Sequence, residues 1–163
     1  MSERLDDEEL LPVDLVGLPL DLHRRATEHS DDVTREFQLV ALDPSTAPAR
    51  LIALGEEVER YSRFTSGPGA QLEQALADGR ATVDLRYEVP ASAADAARRL
   101  GEVLDDVDEW CRAGGMLALA ASDEVRTYRR WFIGQFVDQL SGAEPVPWPD
   151  FAAGDPSSTT PPR

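Results

Sequence analysis

Between residues 82 and 90 the chain reads TVDLRYEVP, the clearest strand pattern in the sequence. Apolar side chains alternate with polar ones along it, at Val83, Leu85, Tyr87 and Val89. Successive side chains of a β-strand point to opposite sides of a sheet, so the alternation predicts a strand with one buried face. Pro90 ends the pattern.

One strand leaves its backbone groups unpaired at both edges, so this strand needs a partner. The short apolar run Met116–Ala120 is the candidate within the chain, and another molecule is the alternative. Pairing with Met116–Ala120 across the intervening helix would give a small parallel pair with a right-handed crossover. We therefore expect a minimal two-stranded sheet and a core supplied mostly by helices.

Helical periodicity flanks the strand on both sides. Apolar residues spaced by three and four predict helices over residues 19–42, 48–65, 70–78, 93–113 and 123–140, the last of them capped by Ser122. The short loop between the first two favours an antiparallel helical hairpin. The predicted fold class is α+β and predominantly α: a helical hairpin followed by a strand-helix-strand-helix unit.

The composition divides the chain into three segments. Residues 1–17 are predicted to be an acidic, weakly structured leader, and residues 18–142 a single helix-rich domain. Residues 143–163 hold half of the 12 prolines and few apolar residues, which predicts a disordered tail. Within that tail, Val146–Phe151 is either a docking peptide for another protein or a segment that packs on its own domain.

The basic residues exclude several function classes. All 16 are arginine, and the sequence contains neither lysine nor asparagine. P-loop and Schiff-base chemistry need a lysine, and protein-kinase chemistry needs both a lysine and an asparagine. The net charge of −15 disfavours binding to nucleic acid or to anionic membranes. A single cysteine, Cys111, fits a reducing cytoplasm.

Metal and nucleophile patterns are weak throughout the sequence. His23 and His29 lie about 120° apart on a helix, so their side chains do not converge on one ion. The acidic residues between Asp105 and Glu109 lack the spacing of a calcium loop and are interpreted as a solvated helix face. Cys111 falls on the apolar face of its helix. We therefore expect no catalytic activity, no metal and no cofactor.

One charged residue lies on an apolar helix face. On a helical wheel Arg129 falls among Val125, Phe132 and Phe136. A charge on a buried face needs a partner or a route to water. The sequence predicts an ion pair with Glu36 of the first helix; another carboxylate, or escape of the guanidinium to solvent, is the alternative.

Arg126, Arg130 and Trp131 suggest a partner-binding surface on the last helix. Trp131 lies off the main apolar arc beside the two arginines, and aromatic residues and arginine are enriched in protein interfaces. Such a surface on an acidic protein would receive an acidic partner or a second copy of the chain. The alternative is a second layer of packing within the domain.

His29 is the candidate for a different function. The stretch Glu28-His29-Ser30-Asp31-Asp32, preceded by Arg24 and Arg25, resembles the helical-hairpin dimerisation domain of histidine kinases, although those domains place an acid directly after the histidine. The missing asparagine argues against autokinase activity, so the resemblance implies a passive phosphotransfer protein with His29 as phosphoacceptor. A core histidine is the alternative.

A second resemblance covers the ordered region. Leu15–Pro19 leading into Leu22-His23, together with Arg129–Phe132, resembles an uncharacterised actinobacterial family associated with genes for anti-sigma factors and their antagonists. The resemblance implies a regulatory role through protein binding.

The expected function is therefore that of a cytoplasmic, non-enzymatic regulatory protein that binds another protein, an anti-sigma factor or its antagonist. Its partners would include neither nucleic acid nor membrane. A homodimer is a further expectation, through the regular apolar seam at Leu51, Leu54, Val58 and Tyr61. The alternatives are phosphotransfer at His29 and a small-molecule sensor with an aromatic interior around Phe37, Tyr128 and Phe132.

Overall fold

The computed structural model describes residues 9–40, 68–114 and 120–154, apart from the side chains of Thr34 and residues 37–40. The elements are β1 (Leu10–Pro19), α1 (Leu20–Val40), α2 (Gly69–Ala77), β2 (Thr82–Pro90), α3 (Ala93–Arg112), α4 (Asp123–Leu140) and α5 (Trp148–Gly154). The predicted class, α+β and predominantly α, is confirmed. The second helix of the predicted hairpin, with its apolar seam, lies outside the described residues.

The strand predicted at residues 82–90 is present, but its partner is β1. The two strands pair antiparallel, with Val13 opposite Tyr87 and Leu15 opposite Leu85. The described partner of β2 is thus antiparallel β1. The expected parallel partner, Met116–Ala120, lies outside the described residues except for Ala120. The prediction of a weakly structured leader is wrong for residues 10–17, which belong to β1. Burial of Val13 and Leu15 removes apolar surface from water, and this stabilises the strand.

A β-bulge at Gly17 keeps the apolar side chains of β1 facing inward. Leu15 pairs with Leu85 and Leu18 with Val83, so two residues of β1 lie opposite the single residue Asp84. Gly17 has φ +68°, a left-handed conformation that glycine adopts without steric cost. Its amide donates to Oδ1 of Asp84 at 2.7 Å, which satisfies the donor that the bulge removes from the ladder.

The inner face of the sheet and the helices around it form the main core. Val13, Leu15 and Leu18 have no exposed surface, and full burial of one such side chain is worth about 1.5–3 kcal/mol. The cluster continues through Leu20, Ala75, Tyr128, Trp131 and Phe136. On the outer face, Nε of Arg86 lies 2.7 Å from Oδ1 of Asp14, and this hydrogen bond lowers the pKa of Asp14.

A second, smaller cluster joins α1 to α3. It consists of Val33, Val103, Val107 and Cys111. The predicted apolar face of the first helix is confirmed over its described side chains, because Leu22 and Ala26 pack on the main core and Val33 belongs to the second cluster. α1 therefore spans both clusters.

The described part of the C-terminal segment, up to residue 154, packs against the domain. Trp148 and Phe151 pack against the main core, and Val146 accepts a hydrogen bond from Nε1 of Trp131 at 2.7 Å. The prediction of a disordered tail is wrong for residues 143–154, and the alternative for Val146–Phe151, packing on its own domain, is the observed arrangement. Trp148 stabilises this docking because its ring contacts those of Tyr128 and Trp131, with centroids 5.8 and 5.6 Å away.

Candidate functional site

A buried carboxylate organises the contact between α3 and α4. Asp108 of α3 has no exposed surface. Its Oδ1 accepts a hydrogen bond from the amide of Ala121 at 3.1 Å, and its Oδ2 accepts one from Nη2 of Arg129. A buried charge needs both a counter-ion and hydrogen bonds, and Asp108 has both.

Arg129 is held in place by α3. Besides Asp108, its Nη2 lies 3.6 Å from Oδ1 of Asp105 and 3.5 Å from the carbonyl oxygen of Leu104. The expectation that Arg129 binds a carboxylate is confirmed, but the predicted partner Glu36 is wrong. The helical wheel places Arg129 on the buried face of α4; it does not show that α3 covers that face.

Sequence reasoning missed Asp108, although the signal was present. The acidic residues between 105 and 109 were interpreted together as a solvated face, and Asp105, Asp106 and Glu109 are indeed exposed. Asp108 differs because it lies about 40° from Leu104 on the wheel, beside the apolar arc that contains Val107. The wheel that identified Arg129 on α4 would have identified Asp108 on α3.

Arg126 approaches the same carboxylate from one turn earlier. Its Nε lies 3.8 Å from Oδ2 of Asp108, and its Nη1 lies 3.5 Å from Oδ1 of Asp123. The side chain is 32% exposed, so the guanidinium reaches from the buried ion pair to the surface. Arg130, four residues later on the same helix face, is exposed.

These arginines line a cleft of about 110 Å³ between α3 and α4, which we call the arginine cleft. Its lining residues are Gly101, Asp105, Arg126, Arg129, Arg130 and Ile133. A Cβ at Gly101 would lie 3.6 Å from Cγ2 of Ile133, in ordinary contact. Three positive side chains converge in one small space on a chain of net charge −15.

Trp131 does not belong to this surface. It has no exposed area, and it contacts Tyr128 and Trp148 in the main core. The prediction that Trp131 binds a partner is therefore wrong, and the alternative of internal packing is the observed one. Trp131 follows Arg130 by about 100° around the helix, which turns its ring from the cleft towards the sheet. Arg126 and Arg130 remain together on the cleft.

The residues behind the two alternative functions lie elsewhere. His29 is half-buried on α1. Tyr128 and Phe132 pack in the aromatic core, with ring centroids 6.0 Å apart, and the side chain of Phe37 lies outside the described part. Phosphotransfer at His29 and small-molecule sensing stay predictions.

His23 and Tyr128 form a polar contact between α1 and α4. Nδ1 of His23 and the hydroxyl oxygen of Tyr128 share a hydrogen bond of 2.7 Å. Burial lowers the pKa of His23 and raises that of Tyr128, because both charged forms would lose hydration. Both shifts favour the uncharged side chains of His23 and Tyr128 in this contact between the two helices.

Other chemical groups in the described residues have structural surroundings. Burial raises the pKa of the Cys111 thiol, which opposes formation of the reactive thiolate. Across residues 9–40, 68–114 and 120–154, no group of three or more histidine, cysteine or acidic side chains is placed to hold a metal ion. Among the described helices, none is both long and apolar enough to cross a membrane.

A wider groove at the end of α3 differs from the arginine cleft in charge. Its volume is about 670 Å³, and it is lined by Asp106, Glu109, Trp110, Arg112 and Ala113. The charged residues that line it are negative in sum, like the whole chain. The charged residues that line the arginine cleft are positive in sum.

Comparison with known proteins adds no relative. No family model, no curated protein and no solved structure matches this chain.

Proposed function

We propose that this protein is a non-enzymatic regulatory protein that binds another protein through the arginine cleft between α3 and α4. The observation that carries the proposal is the convergence of Arg126, Arg129 and Arg130 on one space in an acidic chain. Arginine suits such a site because its guanidinium keeps its charge at every physiological pH and presents several donors in a fixed plane.

The buried pair beneath the cleft supports this role. Because Asp108 holds Arg129 against α3, the floor of the cleft has one arrangement before a partner arrives. A preformed site loses less conformational entropy on binding than a flexible one. Arg130 and the exposed part of Arg126 then provide the groups that a partner meets first.

Charge also supports a protein partner. The chain as a whole repels nucleic acid and anionic membranes. At physiological ionic strength, salt screens the electrostatic interaction between exposed charges more than about 8 Å apart. An acidic side chain close to the cleft is therefore attracted by the nearby arginines and is repelled little by the distant carboxylates of the chain. The resemblance of Leu15–Pro19 and Arg129–Phe132 to a family associated with anti-sigma factors supports a partner of that regulatory kind and a cytoplasmic location.

Affinity capture with charge variants tests the proposal. The immobilised full chain is exposed to an extract of its native host, alongside the variants Arg130→Glu and Arg126→Gln. Arg98→Glu is the matched control, because Arg98 lies on α3 outside the cleft with 52% of its side chain exposed. We expect a protein that the wild type and the control retain and that both cleft variants lose.

Two results would contradict the proposal. One is that the wild type retains no protein above the level of a blank support. The other is that all four proteins retain the same set.

A further inference from the structure

Side chains of α4 hold the backbone of the C-terminal segment, residues 143–154. The amide of Val146 donates to Oε1 of Gln135 at 2.9 Å, and its carbonyl oxygen accepts from Nε1 of Trp131 at 2.7 Å. Gln135 and Trp131 are buried, whereas Val146 is 41% exposed. Two buried polar groups of α4 therefore recognise the main chain of this residue, and its side chain is free to vary.

Gln135 is positioned by the body of the protein. Nε2 of Gln139 donates to Oε1 of Gln135 at 3.0 Å and to the carbonyl oxygen of Asp14 on β1 at 2.8 Å. The amide of Asp14 donates in turn to Oε1 of Gln139 at 2.9 Å. These bonds link Gln135 to β1 without help from the C-terminal segment.

The C-terminal segment has the features of a proline-rich ligand. Prolines alternate with other residues at Pro145, Pro147 and Pro149, and residues 143–147 form neither helix nor strand. Proline fixes one backbone dihedral, so a segment with this spacing loses little conformational entropy when it docks. Surfaces lined by aromatic residues are a recurring receptor for such segments.

Aromatic rings and a glycine receive Trp148 and Pro149. The ring of Trp148 contacts those of Tyr128 and Trp131, with centroids 5.8 and 5.6 Å away. Pro149 lies against Gly17, where a Cβ would come within 3.2 Å of its Cδ, so the bare backbone admits the proline ring. We call the surface formed by Tyr128, Trp131, Gln135 and Gly17 the docking surface.

The segment is joined to the domain in a way that permits its release. None of residues 143–154 is buried. The turn before it closes on α4, because the amides of Gly142 and Ala143 donate to the carbonyl oxygens of Gln139 and Asp138. The end of α4 therefore keeps these bonds whether the segment is docked or released.

We propose that the docking surface is a binding site for a proline-rich segment of a partner protein, with the pattern proline, any residue, proline, tryptophan, and that residues 145–151 fill it when the partner is absent. The partner's backbone takes the two hydrogen bonds of Val146, and its tryptophan takes the place of Trp148. The seated segment shows the chemistry that the surface accepts. This site lies on a different face of α4 from the arginine cleft and does not depend on the proposed function.

Peptide binding to full-length variants tests the site. The probe is a fluorescent peptide of residues 143–154, and its competitor is the tethered segment, whose effective concentration is on the order of 1 mM. Trp148→Ala removes the tethered ring, so this variant should bind the peptide at least about 10-fold more tightly than the wild type. The peptide should also raise the urea midpoint of the variant, because it returns the missing ring.

Val146→Pro is a second release variant that removes no core side chain. Proline has no amide hydrogen for Gln135, so the tethered segment should dock more weakly and the variant should bind the free peptide more tightly than the wild type. Arg98→Gln, added to Trp148→Ala, is the control and should leave the affinity for the peptide unchanged.

Changes in the peptide and in the surface show what is recognised. The same peptide with Trp148→Ala should not bind saturably. Alanine in place of Pro145 and Pro147 should weaken binding about 2- to 5-fold per proline, because the free peptide becomes more flexible. Gln135→Met, added to Trp148→Ala, removes the acceptor and should weaken binding about 10-fold.

Four results would overturn the proposal. If neither release variant folds, the segment is part of the core. If the folded variants bind the peptide no more tightly than the wild type, or if the peptide with Trp148→Ala binds equally well, the surface does not recognise this pattern. If the wild type forms a dimer that the free peptide dissociates, the occupant is a second copy. Capture of a partner at the arginine cleft bears on none of these results.

Discussion

Replacing Asp108 by alanine should be the most destabilising change at the α3–α4 contact. It leaves Arg129, whose side chain is 10% exposed, without its closest counter-ion, and it removes the acceptor of the Ala121 amide. Breaking a buried ion pair by removing one partner costs about 3–5 kcal/mol. Arg129 keeps Asp105 at 3.6 Å, so we expect the lower end of that range, about 3 kcal/mol.

Equilibrium unfolding in urea measures this loss. The midpoint should fall while the slope of the free energy against urea concentration stays unchanged, because both proteins expose the same surface on unfolding. Glu102→Ala is the matched control: it removes an exposed carboxylate from the same helix and should change the free energy of unfolding by no more than about 0.5 kcal/mol.

A double-mutant cycle with Arg129→Met shows whether the pair itself is responsible. The double variant should lose less stability than the two single variants together, because no buried charge is then left alone. The reasoning is refuted if the two losses add, or if Asp108→Ala is no more destabilising than Glu102→Ala.

Three further predictions concern other parts of the fold. Trp148→Ala should lower the free energy of unfolding by about 3 kcal/mol, because its ring packs in the aromatic core; a loss below about 1 kcal/mol in urea unfolding would show that α5 docks weakly. Gly17→Ala should lower the free energy of unfolding by about 1–2 kcal/mol, because alanine is strained in the left-handed backbone conformation of Gly17. The loss should be larger if Pro149 cannot move, since its Cδ would lie 3.2 Å from the new Cβ. An unchanged free energy in urea unfolding would contradict the bulge geometry. Burial lowers the pKa of His23 in the folded protein below its usual value of 6.5. Below pH 6.5 the unfolded chain therefore binds more protons than the folded one, and the free energy of unfolding should fall as the pH falls towards the folded pKa. His23→Gln should flatten that dependence in urea unfolding measured at several pH values, and an equally steep dependence in the variant would contradict it.

The sequence patterns were most successful where the signal is local. The strand at residues 82–90, the start of α4 at Ser122 and its end near Gly142 all follow from neighbouring residues. Alternation, capping and glycine conformation act over a few positions, so one pass along the chain detects them.

The site was predicted in part, for a related reason. Helical periodicity predicts that Arg129 lies on the buried face of α4, and the structure confirms this. It also predicts that Arg126 and Arg130 share one surface of α4, and both residues line the arginine cleft. Trp131 was misplaced because it lies off the main apolar arc of α4, and the wheel could not show that β1 and the C-terminal segment cover that side.

Local chemistry thus determines the helices, the alternating strand and the charge of this protein. Tertiary structure alone decides which surfaces meet. Asp14 and Arg86 pair across 72 positions, and Asp108 rather than Glu36 reaches Arg129. The physical reason is that a buried residue is stabilised by whatever covers it, and many segments of similar composition can supply that cover. Only the packed arrangement of α3 against α4 shows that three arginines share one cleft.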